Sequence, residues 1–259
     1  MKFSILINCH NQSKFIDDCI LSCMNQKYHN FEVIVIDSST KKLNYKKFRI
    51  GNKLKYFHIS SNSKYPEMNQ MNKVLFGLKK AAGDYICLLD ADDKFSDQKL
   101  KNLFRFLNKY KVKLVQDVPL IFENKNKFNK LIIKKLKKNI LFRKILIPWP
   151  QIFGTSSITI KASLLKEFFI KANPFKWTLL AIDVQLIIFC KLNYNISEGL
   201  ENITFKRKHG SNLGDKYLNI FSKIFWKRRL CQHKFYFFLK KKKDYSLDYF
   251  VTFLVNKFL

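Results

Sequence analysis

The sequence predicts an α/β fold whose strands pair in parallel, followed by a basic helical tail. Short apolar segments typical of buried strands alternate with segments whose apolar residues recur at helical spacing. Polar clusters follow three of the strand-like segments, where the carboxyl ends of parallel strands would meet. The 259 residues, of which 47% are hydrophobic, are enough to enclose a core.

The first half of the chain carries most of the predicted elements. Strands are predicted at residues 3–8, 32–36, 54–59, 85–89 and 112–117. Helices are predicted from near Ser13 (with Ile16, Ile20 and Met24 on one face), over residues 71–81, and after Ser96 (with Leu100, Leu103, Phe104 and Leu107 on one face). Ligands bind beyond the carboxyl ends of the strands in such sheets, so we expect Asn8, Asp37 and Asp90 at one functional edge.

The second half is less regular. Residues 154–160 are strand-like and residues 180–190 are helix-like. A basic stretch with interleaved Ile, Leu and Phe covers residues 125–144 and ends near the turn Pro148-Trp149-Pro150. The chain from Lys216 onward is rich in Lys, Phe and Tyr. We find no internal repeat and no Gly/Ser linker, and therefore expect one body with a carboxyl-terminal appendage.

The composition is strongly basic, with 49 Lys and Arg against 19 Asp and Glu and a formal net charge of +30. Such a surface attracts polyanions, but charge alone does not choose among nucleic acid, anionic lipid and phosphorylated substrates. The six cysteines lie mostly in apolar stretches without CxxC spacing, so we predict reduced, buried thiols. Cys19 and Cys23 lie one helical turn apart and leave a shared metal as the alternative.

The chain runs from Met1 straight into a predicted strand, without the apolar stretch of a signal peptide. No apolar run reaches the ~20 residues that span a bilayer. We therefore expect a cytoplasmic protein.

The strongest chemical signal is Asp90-Ala91-Asp92 at the end of a predicted strand. Two carboxylates at alternate positions can project together toward a hard cation such as Mn²⁺ or Mg²⁺, which in turn bridges phosphate oxygens. A tripeptide of this kind also occurs in turns and helix caps, so its context decides. Asp93 either binds metal as well or caps the segment that leads to Ser96.

Four ordered blocks of the first hundred residues resemble family 2 glycosyltransferases, which are inverting enzymes of the GT-A fold. The blocks are residues 4–11, residues 25–32, Val35-Ile36-Asp37-Ser38-Ser39-Thr40, and Gly83-Asp84-Tyr85-Ile86 followed by Leu88-Leu89-Asp90-Ala91-Asp92-Asp93. The resemblance implies a mixed central sheet flanked by helices. It also implies a nucleotide-sugar-binding half at residues 1–110, an acceptor-binding half at 111–215 and a basic amphipathic helical tail at 216–259.

Carried over position by position, the resemblance implies a donor site and a metal. The turns at Asn8, Asn11 and at Asp37-Ser38 would hold the base and ribose of a nucleotide-sugar, most often a UDP-sugar. Asp90 and Ala91 would support the ribose side, and Asp92 would bind Mn²⁺ or Mg²⁺. Two departures are visible, since Ser38 replaces the usual second Asp and Asn8 stands where Pro or Thr is common. Ser38 adds no charge, which weakens the preference for uracil.

The resemblance is thinner in the second half. Gly154-Thr155-Ser156-Ser157 with Lys161 is similar to the small-residue block of the acceptor region. Ala181-Ile182-Asp183 aligns with the acidic pair that supplies the catalytic base, although only one acid remains. Asp183 is therefore the expected base for a hydroxyl acceptor, with an ordinary acid at a helix start as the alternative.

Arg207-Lys208-His209-Gly210-Ser211-Asn212 resembles the Arg-x-His-Gly-x-Asn block that closes over the diphosphate. His209 would complete the metal shell, and Arg207 or Lys208 would neutralise the departing diphosphate. The alternative is a solvated basic loop.

The tail alternates aromatic and aliphatic residues with Lys and Arg, which predicts a cationic amphipathic helix. Its apolar side is formed by Phe221, Ile224, Phe225, Trp226 and Leu230. It would contact an anionic membrane, and packing on the body is the alternative.

The predicted function is metal-dependent transfer of a sugar to a hydroxyl-bearing glycan or lipid-linked acceptor. The resemblance and the basic tail predict a role in a bacterial surface glycan such as lipopolysaccharide or capsule. The expected place is the cytoplasm, with the inner face of the cytoplasmic membrane as the alternative. Two rival functions remain. A nucleic-acid-binding protein explains the charge but not the acidic cluster, so no nucleic acid is expected. A catalytically silent membrane scaffold is conceivable because acids are missing at Ser38 and Ile182.

Overall fold

The structure is a computed structural model of the whole chain. It describes residues 1–44, 51–122, 128–130, 149–194, 196–197, 200–210, 214, 217, 219–243 and 245–258. Ser211, Asn212, Pro148, Lys216 and most of the basic stretch at residues 125–144 lie outside the described residues.

The described strands form two sheets. In chain order the strands are β1 (Phe3–Cys9), β2 (Phe31–Asp37), β3 (Leu54–His58), β4 (Tyr85–Asp90), β5 (Lys94–Phe95), β6 (Leu114–Gln116), β7 (Val118–Phe122), β8 (Phe128–Lys130), β9 (Ile158–Lys161), β10 (Ile196–Ser197) and β11 (Glu201–Arg207). The larger sheet has the order β10-β6-β9-β4-β1-β2-β3, and the smaller one has the order β5-β11-β7-β8.

Parallel pairing dominates the larger sheet. β1 lies between β2 and β4 and is parallel to both, and β3 continues the parallel set beyond β2. Only β9 runs antiparallel to its neighbours β4 and β6 within this described sheet. The expected mixed α/β sheet is therefore confirmed. The register pairs Asn8 with both Ile36 and Asp90, so the polar strand ends meet at one edge, as the sequence predicts.

The helices cover both faces of this sheet. They are α1 (Ile16–Met24), α2 (Pro66–Lys80), α3 (Lys99–Tyr110), α4 (Ala162–Lys171), α5 (Ile182–Asn193), α6 (Lys223–Lys240) and α7 (Leu247–Phe258). One core packs α2, α4 and α5 against side chains such as Leu6 and Ile34. The other packs α1 and α3 against Ile5 and Val33 on the opposite face.

Several predicted boundaries differ from the structure. Helix α2 begins at Pro66 rather than near Met71, because a proline at the first helical position needs no intrahelical donor and its φ suits a helix. Residues 154–160 were expected to be a strand throughout, but Thr155–Ser157 form a short 3-10 turn and the strand begins at Ile158. The sequence patterns did not predict β7, α4 or β11.

The tail is a pair of antiparallel helices that packs on the body through α6. Phe235 is fully buried in the α2/α4/α5 core, and its ring lies 5.3 Å from that of Trp177. The apolar residues Ile224, Phe225, Trp226 and Leu230, expected to face a membrane, are half-buried. Phe221, the fifth residue expected on that side, is 86% exposed, so α6 packs on the body in part and membrane contact by the tail stays a prediction.

Two further expectations concern apolar segments. None of the helices in the described part of the chain is both long and apolar enough to span a bilayer. The six cysteines are free thiols, five of them buried and Cys231 half-buried, as predicted.

Candidate functional site

The candidate site lies at the carboxyl edge of the larger sheet, where β1, β2 and β4 end side by side. The edge is closed by the 3-10 turn at Thr155–Ser157 from one side and by the end of β11 from the other. Asp90 is the last residue of β4, and the Ala91 backbone N–H donates to the Asn8 carbonyl oxygen at 3.1 Å. The chain turns directly after β4, so Asp90, Asp92 and Asp93 lie close together at the end of this strand.

The acids repel one another in a site with little solvent. Burial, together with the neighbouring charges of Asp92 and Asp183, raises the pKa of Asp90 to about 7. A hydrogen bond from Gln70 Nε2 at 2.8 Å and the charge of Lys206 act in the opposite direction. An edge of this kind has an excess of negative charge that a cation would relieve.

Asp93 is an anchor of the turn. Its Oδ2 accepts a hydrogen bond from Ser156 Oγ at 2.6 Å, and its Oδ1 accepts one from the Arg207 backbone N–H at 2.8 Å. The Ser156 hydroxyl also accepts from the Asp90 N–H at 3.0 Å. Because both oxygens of Asp93 bind protein groups and the residue is buried, it joins β4 to β11 rather than presenting a free ligand.

Asp92 meets His209 across 117 residues of sequence. His209 Nε2 lies 2.8 Å from Asp92 Oδ2, and the imidazole stacks on Phe15 with 5.1 Å between ring centres. The His209 side chain is 19% exposed and that of Asp92 is 11% exposed, so the pair lies at the rim of the buried turn. The structure thus brings together the two residues that the sequence nominated for the metal.

Asp92 and His209 fit a divalent cation as a partial shell. Adjacent ligands of an octahedral ion with bonds of about 2.1 Å lie about 3 Å apart, close to the 2.8 Å between these two atoms. Within the described residues no cluster of three or more His, Cys, Asp or Glu side chains is arranged to hold a metal. The remaining ligands would therefore come from phosphate oxygens and water, which is the usual arrangement for Mg²⁺ at a nucleotide.

Arg207 contacts the backbone of Asp92, one of the two candidate metal ligands. Its Nε donates to the Asp92 carbonyl oxygen at 2.9 Å, and one terminal nitrogen lies 3.4 Å from Asp18 Oδ2. The guanidinium lies between the rings of Phe15 and Phe122, 4.7 and 4.5 Å from their centres. These contacts make Arg207 a positioning residue for Asp92. Its expected contact with a diphosphate stays a prediction.

The Asp37 carboxylate organises the turn after β2. It accepts hydrogen bonds from the Ser39 N–H at 2.9 Å and from the Tyr56 hydroxyl at 2.8 Å, and it is fully buried. Burial alone would raise the pKa of Asp37, but these hydrogen bonds outweigh it and hold the pKa below its ordinary value. Burial raises the pKa of Tyr56, and its hydrogen bond to the Asp37 carboxylate raises it further. Asp37 therefore holds the turn in place through these hydrogen bonds.

Lys73 lies under the same turn and was not predicted. Its Nζ donates to the Cys9 carbonyl oxygen at 3.0 Å and to Ser38 Oγ at 3.1 Å, and the residue is buried. Burial lowers the pKa of Lys73, while the charges of Asp90 and Asp37 oppose that shift. Ser38 is thus the hydroxyl partner of a buried cation, at the position where the resemblance leads one to expect an acid.

The Asn8 side chain is buried at this edge, and neither its Oδ1 nor its Nδ2 has a hydrogen-bond partner among the described residues. A buried unpaired amide costs about 1–3 kcal/mol, and a ligand that supplied the missing partner would offset this cost. Asn8 is therefore a strong candidate for a ligand contact.

Asn11 is exposed and adopts a left-handed conformation with φ of 54°. Its N–H donates to Ser39 Oγ at 2.7 Å, and its Oδ1 accepts from the Thr40 N–H at 3.0 Å. A cavity of about 420 Å³ opens beside it, lined in part by Ser13, Ser39 and Lys41. The cavity lies between the two turns that the sequence nominated for the base and ribose.

Asp183 approaches the site from the start of α5. It lies in the first turn of the helix, and its Oδ1 accepts from the Val184 N–H at 2.8 Å. Its charge is close enough to Asp90 to raise the pKa of that carboxyl. The position suits a base beside the donor site, and it also suits the alternative of an acid at a helix start.

Lys206 and Gln70 complete the site, and sequence reasoning missed both. A Cβ added to Gly154 would lie 2.8 Å from Lys206 Nζ, so this amine lies directly over the glycine. Gln70 Nε2 bridges Asp90 Oδ1 and Thr155 Oγ1. Adjacent strand residues point to opposite faces, so Lys206 and Arg207 serve opposite sides of β11. A predicted strand at residues 201–207 would have revealed this.

Known proteins resemble this chain in sequence and in fold. The model of glycosyl transferase family 2 matches residues 4–169, well over half of the chain. The chain belongs to this family. The matched segment contains the Asp90-Ala91-Asp92 turn and ends before Asp183 and His209.

Relatives named as glycosyltransferases match part of this chain. An uncharacterised glycosyltransferase of Rickettsia bellii is 34% identical over 109 residues, which are 41% of this chain and 15% of the relative. The amylovoran biosynthesis glycosyltransferase AmsB of Erwinia amylovora is 33% identical over 104 residues, which are 39% of this chain and 34% of the relative. The matches to these family 2 relatives thus span well under half of their length.

Solved structures extend the likeness to nearly the whole fold of this family member. Residues 1–349 of Staphylococcus aureus TarS, in complex with UDP-GlcNAc, match with a TM-score of 0.64 at 18% identity, covering 95% of this chain and 68% of that one. The mannosyltransferase PcManGT of Pyrobaculum calidifontis, with GDP-Man and Mn²⁺, matches with a TM-score of 0.58 at 12% identity, covering 90% and 63%. The GT-A fold is therefore confirmed.

Proposed function

We propose that this protein is a glycosyltransferase that moves a sugar from a nucleotide-sugar to a hydroxyl acceptor, with inversion at the anomeric carbon. The meeting of Asp92 and His209 at 2.8 Å, beside the strand ends of a family 2 chain, carries this proposal. A carboxylate and an imidazole that converge at such an edge are suited to a cation that also binds a diphosphate.

The proposed reaction is a single displacement. Asp183 takes the proton from the acceptor hydroxyl as its oxygen attacks the anomeric carbon, while the donor is held in line for attack. Lys206, whose amine lies over Gly154 and whose charge reaches Asp90, is placed to balance the charge that develops on the leaving diphosphate. Gln70 orients Asp90 through its hydrogen bond at 2.8 Å.

Asp92 and His209 would hold Mn²⁺ or Mg²⁺, which when bound neutralises the leaving nucleoside diphosphate. Asp93 and Arg207 keep this pair in position by tying the acidic turn to the end of β11. Because the described residues supply two candidate donors here, cation affinity should rise strongly when the nucleotide is present.

The finer proposals are a UDP-sugar as donor, a bacterial surface glycan such as lipopolysaccharide or capsule as the destination, and a position at the cytoplasmic face of an anionic membrane. Three similar proteins support parts of this set. TarS was solved with UDP-GlcNAc, PcManGT with GDP-Man and Mn²⁺, and AmsB is named for amylovoran biosynthesis.

The test is calorimetric titration of UDP, GDP and dTDP, each with and without Mn²⁺, into the wild-type protein and into Asp92→Asn. We expect one nucleotide to bind in a Mn²⁺-dependent way. Loss of the carboxylate charge should weaken that binding by at least about 10-fold, the effect seen when metal sites lose even indirect partners.

The matched control is Asp97→Asn, which removes an acid from the same segment. Asp97 is exposed and pairs with Lys27 at 2.7 Å, away from the site, so nucleotide binding should not change. Equal losses in both variants would contradict a role for Asp92. Failure of all three nucleotides to bind would favour the silent-scaffold or nucleic-acid alternative.

A further inference from the structure

Helix α7 buries polar residues and exposes apolar ones. Its polar residues Asp248, Thr252 and Asn256 follow one another at four-residue spacing and point toward α6. Asp248 and Thr252 are buried. The opposite side of the helix carries Leu247, Phe250, Val251, Phe253, Leu254 and Phe258, which we call the α7 face, and all six are exposed. A helix on the surface of a soluble protein shows the reverse pattern.

The inward polar stripe fixes this orientation. Asp248 Oδ2 accepts hydrogen bonds from Trp149 Nε1 and from Arg229, each at 2.8 Å, and His233 Nε2 lies 3.3 Å away. One turn from the helix end, Asn256 Nδ2 donates to the Trp226 carbonyl oxygen at 2.8 Å. Rolling the helix to bury its apolar side would break these contacts at both ends. The α7 face therefore stays outward.

Exposed apolar residues are concentrated around this helix. Of the fourteen large hydrophobic side chains exposed among the described residues, ten lie between Ile220 and Phe258. The most open of these ten are Phe221 at 86% and Phe258 at 79% of full exposure, at the end of the pair opposite the α6–α7 turn. Single exposed apolar residues are ordinary, but a contiguous patch marks an interaction surface.

Positive charge surrounds the α7 face at both ends. Lys240, Lys241, Lys242 and Lys243 are exposed at the turn that joins α6 to α7. At the other end, Lys257 is exposed on α7, and Lys223 and Lys227 are exposed on α6. Residues 219–259 contain ten Lys and Arg and only two acids, Asp244 and Asp248. An apolar face between basic ends is complementary to acyl chains beneath anionic headgroups.

A basic recess lies beside the helix pair. It has a volume of about 340 Å³, and its lining includes Lys176, Lys227 and Lys234 together with Trp177 and Leu230. A lining that combines three lysines with aromatic and aliphatic side chains suits a phosphate carried on an apolar molecule. The recess therefore points to the same class of partner as the α7 face.

We propose that the α7 face docks side-on to an anionic lipid bilayer, with the lysines at its ends among the headgroups. A second copy of the chain is the other occupant that an apolar face invites. Pairing two such faces would bring two basic rims together on molecules that each carry a formal charge of +30, and this repulsion opposes it. An anionic membrane instead gains from the same charges.

This inference deepens the membrane part of the proposed function and moves the contact from α6 to α7. It uses no residue of the donor site. The protein can therefore bind vesicles without binding a nucleotide, or bind a nucleotide without binding vesicles, and the two experiments distinguish these outcomes.

The test is co-sedimentation of the full chain with vesicles of phosphatidylcholine alone and of phosphatidylcholine mixed with phosphatidylglycerol. We expect binding to the mixed vesicles only. Leu254→Glu should reduce that binding at least about 10-fold, because a charge then replaces an inserted apolar group. Ile170→Glu is the matched control, since Ile170 on α4 is 81% exposed but lies outside the patch.

A second pair of variants tests the charge. Lys241→Gln, Lys242→Gln and Lys243→Gln combined should lower binding on the order of 100-fold, because each lysine near an anionic surface contributes about fivefold. The same three changes at Lys109, Lys111 and Lys113, which are exposed near the end of α3, remove equal charge and should have a small effect. Thermal unfolding and the UDP, GDP and dTDP titrations verify that each variant is folded.

Two outcomes would overturn the proposal. Equal binding to neutral and mixed vesicles would remove the electrostatic part on which the choice of partner depends. A wild-type dimer in sedimentation velocity that becomes monomeric in Leu254→Glu, together with no vesicle binding, would assign the α7 face to a second copy.

Discussion

The carboxyl edge of the large sheet and the α6–α7 helix pair use buried polar groups in opposite ways. At the sheet edge, apolar strands lie beneath and the half-buried polar side chains of Asp183 and His209 reach toward solvent. In the helix pair, Asp248 and Thr252 lie inside and the apolar α7 face lies outside. The first arrangement suits a charged, soluble ligand, and the second suits an apolar partner.

The comparison teaches that burial alone does not reveal the purpose of a polar group. Asp93, Asp117 and Asp248 are all buried acids, yet each joins elements distant in sequence. Asp92 is as buried as Asp248, at 8% against 9% exposure, yet it meets His209 at the candidate site, and Asp183 beside that site is half-buried. Substitutions that separate joining residues from reacting ones sharpen this contrast.

The largest effect is expected at Asp183. In Asp183→Asn the proposed base cannot accept a proton, so kcat for release of nucleoside diphosphate, with water as acceptor, should fall by roughly 10²–10⁴-fold. Nucleotide affinity measured by calorimetry should stay within a factor of about two, because the donor contacts remain. A loss of affinity equal to the loss of rate would instead make Asp183 a structural acid at the start of α5.

The next effect is expected at the buried pair of Lys99 and Asp117, whose charged atoms lie 2.7 Å apart with no exposed side-chain surface. Lys99→Met leaves the carboxylate uncompensated and should lower the free energy of unfolding by about 3–5 kcal/mol in guanidinium titration. Adding Asp117→Leu should restore most of the loss.

The control for that pair is Lys27→Met, which breaks the exposed pair with Asp97. Its side chains are 60% and 42% exposed, so the loss should be below about 1 kcal/mol. If Lys27→Met and Lys99→Met lowered the free energy of unfolding equally, burial would not determine how strongly these ion pairs stabilise the protein.

A smaller and more local effect is expected at Asp248. Asp248→Asn weakens the contacts from Trp149 and Arg229 and should destabilise the helix pair by about 1–3 kcal/mol. Amide hydrogen exchange should accelerate in α7 and stay unchanged in β1 and β4. Uniform acceleration across the chain would mean that the helix pair does not open separately from the sheet.

The smallest effect concerns pH. Burial would raise the pKa of Asp248, but contacts from His233 and Trp149 and the charge of Arg229 outweigh it and lower the pKa from 3.8 to about 2. A lowered folded-state pKa stabilises the protein above pH 4, and this contribution is lost as pH falls toward 2. The difference in unfolding free energy between wild type and Asp248→Asn should therefore shrink over that window. If the difference in unfolding free energy stayed constant with pH, the charge of Asp248 would not be the source of the stabilisation.

Much of the fold and part of the site follow from local patterns. Strands β1, β2, β3 and β4 lie within one or two residues of their predicted bounds, because continuous apolar runs and the polar turns after them are local signals. Asp90 and Asp92 could be nominated for the same reason. Strand β11 could not be predicted, since residues 201–207 mix polar and apolar types without a clean period, and its side chain Lys206 was missed with it.

The sequence by itself determined the alternating strands, the acidic turn at Asp90-Ala91-Asp92 and the basic, aromatic character of the tail, because each depends on neighbours along the chain. Only the tertiary structure decided that Asp92 meets His209 and that Lys206 lies over Gly154, since these contacts require separate strands to end at one edge. It also decided which side of α7 faces inward. Helical periodicity separates a polar side from an apolar one, but hydrogen-bond donors from distant residues, here Trp149 and Arg229, determine which side is buried.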